Sequence, residues 1–420
     1  MRLRCLFCFF ANIFILISSY VSAAPFSNYL KVNALADFRW IHTPAETGWL
    51  DHGLGKTRYG GSAGERQNDF RVSQLSLLIS TSFTPDVFAR AQFNIDAEPD
   101  QGWKRHRFDL IEGYIGYHPV LRPYLRLRIR GGVFFPPVSL ENRDAAWTSP
   151  YTITYSAINS WIGEEVRVTG GEGSLIFQKG GNEIAFSGSV FGKNDPTASL
   201  LAWRGWSFSD RQTGLSDQLP LASIPSLLPG GLFPQQPEYV QPFREVDGKP
   251  GFYGSFSWTT RRFEFNGLHY ANRGVQTDFD GAQYAWDTTF GDLGLALHLP
   301  HNFEVIAQFL CGSSKMGFHS MVDMRYRATY ALLSNSFGRN RLTLRYDIFR
   351  VDDRDLFVAA DNNNESGHAW TAAYIFSFNE KYRVAAELLH VNSNRPERLQ
   401  IGLPEREDAT TFQTSLRLRF

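Results

Sequence analysis

The sequence predicts an all-β fold, a transmembrane antiparallel β-barrel of about 16 strands. Segments of about ten residues with apolar side chains at every second position recur through the chain, as in strands with one lipid face and one water face. Clusters of turn residues separate these segments. After the first residues, no apolar run reaches the length of about 20 residues that a membrane helix needs.

The last segment shows the alternation most clearly. Phe412, Leu416, Leu418 and Phe420 share one face, and the opposite face carries Gln413, Ser415, Arg417 and Arg419. A final strand that ends in Phe resembles the C-terminal signature of bacterial outer-membrane proteins. This resemblance implies that Phe420 is an assembly signal for the outer-membrane assembly machinery of a Gram-negative cell.

The first residues have the pattern of a cleaved secretory signal. Arg2 and Arg4 precede an apolar run over 6–17, and small residues follow. We predict a signal peptide at 1–23 and a barrel at 24–420; an uncleaved anchor helix is the alternative, but the run is short for a bilayer.

Cysteine and charge exclude several classes of protein. Cys5 and Cys8 leave with the signal, so Cys311 stands alone, and neither a disulfide nor a cysteine metal site is expected within one chain. The 42 basic and 42 acidic residues balance, which leaves no footprint for nucleic acid. No cofactor is predicted.

The first half of the chain contains seven predicted strands. They cover about 28–41, 70–83, 87–96, 107–117 (with ambiguous faces), 125–135, 163–177 and 183–192. Between them, 136–161 lacks a sustained period of two. The stretch 193–250 is a long Pro-rich loop that either packs on the barrel mouth or a neighbouring subunit, or is disordered.

The second half is more regular. Short turns are predicted at 260–261, 300–302, 338–340 and 379–381, about 40 residues apart, which fits two strands and one longer loop between neighbouring turns. An even number of strands places both termini on the periplasmic side.

Period two also predicts which charged side chains line the lumen. The predicted cations are Lys31, Arg39, Arg90, Arg126, Arg128, Arg130, Arg167, Arg325, Arg327, Arg345, Arg383, Arg417 and Arg419. The predicted acids are Asp37, Asp96, Glu165, Glu264, Glu304, Asp323, Asp347 and Glu387. The cluster Arg126, Arg128 and Arg130 predicts either an anion-favouring pore field or a charge-paired wall.

Several runs resemble the phosphate-selective (O/P type) porin family: Thr84 to Asp96, Asp109 to Tyr117 and Gly132 to Glu141, with an echo at Gly248 to Gly254. The resemblance implies a 16-stranded homotrimeric porin. The chain departs from the pattern at Phe134-Phe135-Pro136, where the family often has Gln-Phe-Lys. It also has few lysines, so the resemblance supports a porin more than it supports phosphate.

The resemblance also concerns 136–161, which by our count is the third loop on the outer side. It implies that this loop folds inward as a constriction loop and turns Glu141, Arg143 and Asp144 toward the Arg126 to Arg130 cluster. An ordinary surface loop is the alternative.

The sequence also contains weak matches to a barrel enzyme and to a metal-binding loop. Some barrel lipid hydrolases resemble one another in a His-x-Ser pair, but in His390-Val-Asn-Ser393 the two residues fall on opposite faces of a strand, so no catalytic residue is predicted. The run Asp361 to Glu365 lacks the spacing of a calcium hand, and we predict no metal. A closed structural barrel is the remaining alternative.

The sequence therefore predicts an outer-membrane porin, a water-filled channel for passive diffusion of small solutes with a preference for anions. Its expected partners are outer-membrane lipid, small anionic solutes, the assembly machinery and two further copies of the chain.

Overall fold

The computed structural model describes residues 30–95 and 108–420. The predicted signal peptide at 1–23 and the predicted lumen residue Asp96 lie outside the described residues. Of the helices described, none has the length and apolar character needed to cross a membrane.

Sixteen antiparallel strands of the described chain close into one barrel, as predicted, and a further three-residue strand, Val120–Arg122, pairs within one of the turns. The first eight are β1 (Leu30–His42), β2 (Asn68–Ser82), β3 (Val87–Ile95), β4 (Phe108–Tyr117), β5 (Leu125–Phe134), β6 (Val168–Lys179), β7 (Asn182–Gly192) and β8 (Gly251–Thr259). The last eight are β9 (Phe263–Ala271), β10 (Asp287–Leu299), β11 (Phe303–Met316), β12 (Val322–Phe337), β13 (Asn340–Asp353), β14 (Glu365–Ser377), β15 (Tyr382–Asn394) and β16 (Arg406–Arg419).

Pairing of the first and last strands closes the barrel. In β1, Asp37 lies opposite Arg417 of β16 and Phe38 lies opposite Leu416, while the other side of β1 pairs with β2. This closure leaves β1 and β16 without the unpaired edges that an open sheet would have.

The outer wall is apolar and much of the interior is polar. In β13, Leu342, Leu344 and Ile348 are exposed on the outside, whereas Thr343 and Arg345 are buried inside. Exposed apolar side chains in this alternation are expected where lipid surrounds a barrel.

The connections differ in length at the two ends of the barrel. At one, here called the short-turn end, the strands are joined through 83–86, 118–124, 180–181, 260–262, 300–302, 338–339 and 378–381. The predicted turns all fall there. At the other, the loop end, the connections include 43–67, 135–167, 193–250, 272–286, 354–364 and 395–405.

The predicted strand over 163–177 is wrong at its start. A helix, α1 (Ala157–Glu165), comes first, and β6 begins only at Val168. The side chain of Ser156 caps α1 by accepting a hydrogen bond from the N–H of Asn159. All nine residues of α1 are buried, so this helix packs against its surroundings on every side and does not present one polar face to water.

The stretch 193–250 has structure of its own. It contains a short helix, α2 (Ser199–Trp203), and two paired strands of two residues each, Leu219–Pro220 and Tyr239–Val240. Its residues 194–213 are buried, so this part packs against the barrel.

A bulge explains why the faces of β4 are ambiguous in the sequence. Gln92 of β3 pairs with Glu112, but the next residue, Phe93, pairs with Leu110. The extra residue, Ile111, breaks the period of two.

Candidate functional site: the charged barrel interior

The inward loop, residues 136–161, lies inside the barrel, as predicted for the third loop. Carboxylates of the wall accept hydrogen bonds from its backbone. Glu387 of β15 accepts from the N–H groups of Ile153 (2.6 Å) and Thr154 (3.1 Å), and Asp347 of β13 accepts from Ala157 (3.1 Å). Backbone donors that would otherwise be buried without partners are thereby satisfied.

Glu141 of the inward loop pairs with Arg345 of β13, with 2.7 Å between Oε1 and Nη1. The same guanidinium donates to Asp347 (2.8 Å) and to the carbonyl oxygens of Thr154 (2.8 Å) and Tyr155 (2.9 Å). Arg345 therefore faces the interior, as predicted, but it is buried and fully engaged.

Arg143 and Asp144 contact other parts of the wall. Arg143 pairs with Glu264 of β9 at 3.0 Å. Asp144 pairs with Arg383 of β15 at 3.2 Å and with Arg419 of β16. Burial opposes ionisation of Asp144, but the guanidinium groups of Arg419 and Arg383 and the N–H of Ala145 together outweigh it and hold the pKa of this carboxyl below its usual value.

The prediction that Glu141, Arg143 and Asp144 face the Arg126 to Arg130 cluster is wrong. Their partners are Arg345, Glu264, Arg383 and Arg419. Sequence separation hides this, because the partners lie on strands more than one hundred residues further along the chain.

Arg126, Arg128 and Arg130 do share the inner face of β5. Arg130 forms a bidentate pair with Glu172 of β6, both contacts being 2.9 Å, and lies 4.0 Å from the ring centre of Phe134. Arg128 lies 3.9 Å from the same carboxylate, and Arg126 is exposed. Arg130 is thus firmly charge-paired, Arg128 is half-buried and paired at a longer distance, and Arg126 is exposed to solvent.

Glu172 was not among the predicted lumen residues. It is 2% exposed and lies directly opposite Arg130 in the strand register. Glu172 lies two residues before inward-facing Ser174 in an alternating segment, and this spacing indicates the inner face. Its partner depends on a register that the sequence leaves open.

Arg90 also faces the interior from β3. It lies opposite Tyr114 in register and is exposed, with its guanidinium carbon 5.7 Å from the ring centre of Phe88. Arg90, Arg126 and Arg128 are therefore the predicted cations that keep the most contact with solvent inside the wall of β3 and β5.

A second inward segment, residues 194–213, crosses the interior and was missed by sequence reasoning. Asp210 pairs with Arg39 of β1, and Gln212 accepts a hydrogen bond from the side-chain amide of Gln92 of β3 at 2.6 Å. The indole of Trp206 donates to the carbonyl of Arg350 in β13 at 3.2 Å. Two tryptophans in a Pro-rich loop were the available signal that this stretch packs.

The prediction that Arg325 and Arg327 face the lumen is wrong. In β12 the inner row contains Met324 (0% exposed) and Tyr326 (2% exposed), and the two arginines lie exposed on the outer row. Tyr326 packs on Trp161 of α1, with ring centres 5.5 Å apart. The interior is apolar at this level because the inward segments fill it, so the usual pattern is reversed.

A cationic cavity lies at the short-turn end, inside the barrel and beside Asp144. Its volume is about 360 Å³. The basic side chains along its described lining are Arg339, Arg341, Lys381, Arg383, Arg417 and Arg419, against the acids Asp144 and Glu380. Arg417 is 3% exposed and pairs with Asp37 of β1 at 2.8 Å, while its Nη1 has no hydrogen-bond partner among the described residues.

Two further groups of reactive side chains lie in the described part of the chain. His390 bonds to Thr410 (3.0 Å) on the outer face, whereas Ser393 is buried on the inner face. Asp195, Glu245 and Asp247 bring carboxylates together in the loops. There, Asp195 already accepts from the backbone N–H groups of Val246 (2.6 Å) and Asp247 (3.3 Å).

Solved outer-membrane proteins have a similar fold. A form of OmpT lacking loop L8, an outer membrane protein of Vibrio cholerae, matches with a TM-score of 0.51 at 7% identity, covering 93% of this chain and 100% of its own. Salmonella typhi OmpF in complex with daunomycin matches with a TM-score of 0.51 at 12% identity, covering 93% and 97%. No protein-family profile and no curated protein matches this sequence. At such identities the likeness shows the barrel fold alone.

Proposed function

We propose that the protein is an outer-membrane porin of narrow bore that lets small anionic solutes diffuse passively. The observation that carries this proposal is the cavity at the short-turn end, where six basic side chains oppose two acids along the described lining. Two of the six pair with acids outside this lining, Arg341 with Glu304 and Arg417 with Asp37, and the remaining excess of positive charge favours entry of anions into a confined aqueous space. Arg90 and Arg126 add solvent-exposed cations on the inner face of β3 and β5, and Arg128 adds a half-buried one.

Outer-membrane location belongs to the same proposal. Support comes from the apolar outer wall and from the short connections at one end and longer connections at the other, since outer-membrane barrels have short periplasmic turns and longer outer loops. The short-turn end is accordingly periplasmic. We propose phosphate-like or organic anions as the solute class. It is not narrowed to phosphate, because the sequence runs that resemble phosphate-selective porins lack that family's lysines.

The test is the reversal potential of the purified protein in a planar bilayer under a KCl gradient. The R339Q/K381Q variant removes two exposed cavity charges, and R261Q/R262Q removes two charges from another short turn. We expect anion preference in the wild type, a clear decrease in R339Q/K381Q and no change in the control. Cation preference in the wild type would contradict the proposal.

A closed structural barrel is the second candidate. It is favoured by the burial of interior charges such as Asp37, Arg39, Arg345 and Asp347, each at most 1% exposed. The same bilayer experiment distinguishes the two, because a closed barrel gives no current in any variant. Catalysis is not proposed, since His390 and Ser393 lie on opposite faces.

We also propose that the protein is a homotrimer, on the strength of the resemblance of its sequence runs to trimeric porins. Light scattering of the detergent complex should give three chains per particle. A single chain per particle would contradict this part of the proposal.

A further inference from the structure

The outward-facing rows of three neighbouring strands change from mostly apolar to mostly polar at one level of the outer wall. Arg327 of β12 lies in register between Cys311 of β11 and Arg350 of β13. In the next outward-facing row toward the short-turn end, the same two flanking strands carry Phe309 and Ile348, which are both exposed. The arginines thus begin where the apolar wall ends.

These arginines carry more positive charge than their neighbours neutralise. Arg327 lies directly opposite Arg350, an arrangement of like charges that destabilises paired strands. Asp352 lies opposite Arg325 but bonds to Arg350. Within residues 30–95 and 108–420, Arg325 and Arg327 make no hydrogen bond or ion pair.

The height of these arginines along the barrel matches the edge of the hydrocarbon layer of the membrane. Arg327 lies ten residues from Phe337, the last residue of β12 at the short-turn end. Ten residues span about 33 Å along a strand. With a tilt of roughly 40°, the height is about 25 Å, which equals the usual height of the apolar band of an outer-membrane barrel. Arg325, Arg327 and Arg350 therefore lie at the head-group level of the outer leaflet.

We propose that Arg325, Arg327 and Arg350 bind the phosphate of a phosphorylated glycolipid in the outer leaflet. The planar guanidinium group matches phosphate geometry in bidentate fashion. Acyl chains of the same lipid would lie on the exposed apolar side chains beneath, including Phe309, Leu344 and Ile348. This site depends on outer-membrane location and not on channel activity.

The test measures how much lipid A stays bound to the purified full-length chain in native mass spectrometry. The variant is R325Q/R327Q, and R261Q/R262Q at a short turn is the charge-matched control, since all four side chains are exposed. A basic residue near an anionic membrane surface contributes about fivefold in affinity. We expect about 25-fold weaker retention in R325Q/R327Q and unchanged retention in the control. Equal retention in the two variants would overturn the proposal.

Two further arms identify the ligand. Lipid A stripped of its phosphates should bind the wild type and R325Q/R327Q equally weakly, and R325K/R327K, which keeps the charges without the planar guanidinium groups, should recover only part of the retention of lipid A. If inorganic phosphate at millimolar concentration displaces lipid A completely, the site is one for free phosphate and the lipid proposal is wrong. Heat-modified mobility on gels confirms that every variant is folded.

Discussion

Glu141 of the inward loop and Arg345 of β13 form an ion pair whose side chains are both fully buried inside the barrel. Removing one partner of a buried pair leaves an uncompensated charge and costs roughly 3 to 5 kcal/mol. The pair therefore fixes the inward loop to the wall more firmly than an exposed pair could.

We expect E141Q to lower the free energy of unfolding by about 3 kcal/mol, the low end of that range, because Asp347 still faces Arg345. Urea unfolding in detergent, followed by gel mobility, measures the change. The matched control is E264Q, which breaks the partly exposed pair with Arg143 and should cost about 1 kcal/mol or less. Equal losses in both variants would show that the Glu141 pair has no special weight.

The second prediction concerns selectivity inside the barrel. R126Q/R128Q should lower anion preference at low salt, whereas R130Q should change it less, because Arg130 is paired with Glu172. At 1 M salt the Debye length falls to about 3 Å, so the difference should vanish. R126K/R128K should behave as wild type.

R325Q/R327Q is the control for this selectivity experiment. It removes the same number of charges from the outer face, so the reversal potential should stay at the wild-type value. An unchanged potential in R126Q/R128Q would place selectivity elsewhere, for instance in the cavity at the short-turn end.

The contrast between Arg417 and Arg325 shows what the sequence could predict. Both occur in alternating strands, and period two correctly places Arg417 inside. It misplaces Arg325, because the interior opposite β12 is lined by Trp161 and Trp206, which come from loops. The strand pattern indicates two faces, but only the loop conformation decides which face meets apolar groups.

The barrel itself follows from local patterns, and the ion pairs do not. Strand positions, short turns and the inward third loop were predictable because each depends on residues close in sequence or on a resemblance. The partners of Glu141 and Asp144 were not, because they depend on the path of the inward loop and on a register set by sixteen strands.

The third prediction is a pH dependence at the short-turn end. Because the pairing of Asp144 with Arg419 and Arg383 lowers the carboxyl pKa, its contribution is present above the unfolded Asp pKa of about 4 and is lost as pH falls through the folded value. Acid should therefore release this part of the inward loop and change the conductance of the wild type below about pH 4.

D144N should lack this acid-induced change and should show the altered conductance already at neutral pH. E380Q is the control, because Glu380 lines the same cavity but is exposed and makes no hydrogen bond or ion pair among the described residues. It should keep the wild-type response. An identical acid response in D144N and the wild type would assign the effect to another group.

The last prediction concerns assembly. The backbone of Phe420 pairs with Ala34 of β1 through two hydrogen bonds of 3.0 Å, while its ring is 46% exposed on the outer row. F420A keeps those backbone bonds and removes only the ring, so the folded barrel should keep its stability.

Phe337 is a matched ring, 50% exposed at the same end of the barrel. We expect F420A to lower the amount of folded protein in the outer membrane several-fold and F337A to leave it unchanged, measured by heat-modified mobility of membrane fractions. Refolding of both purified variants in detergent should proceed as for the wild type, because the ring is predicted to act only in recognition by the assembly machinery. Equal membrane levels of F420A and F337A would refute the assignment of Phe420 as the assembly signal.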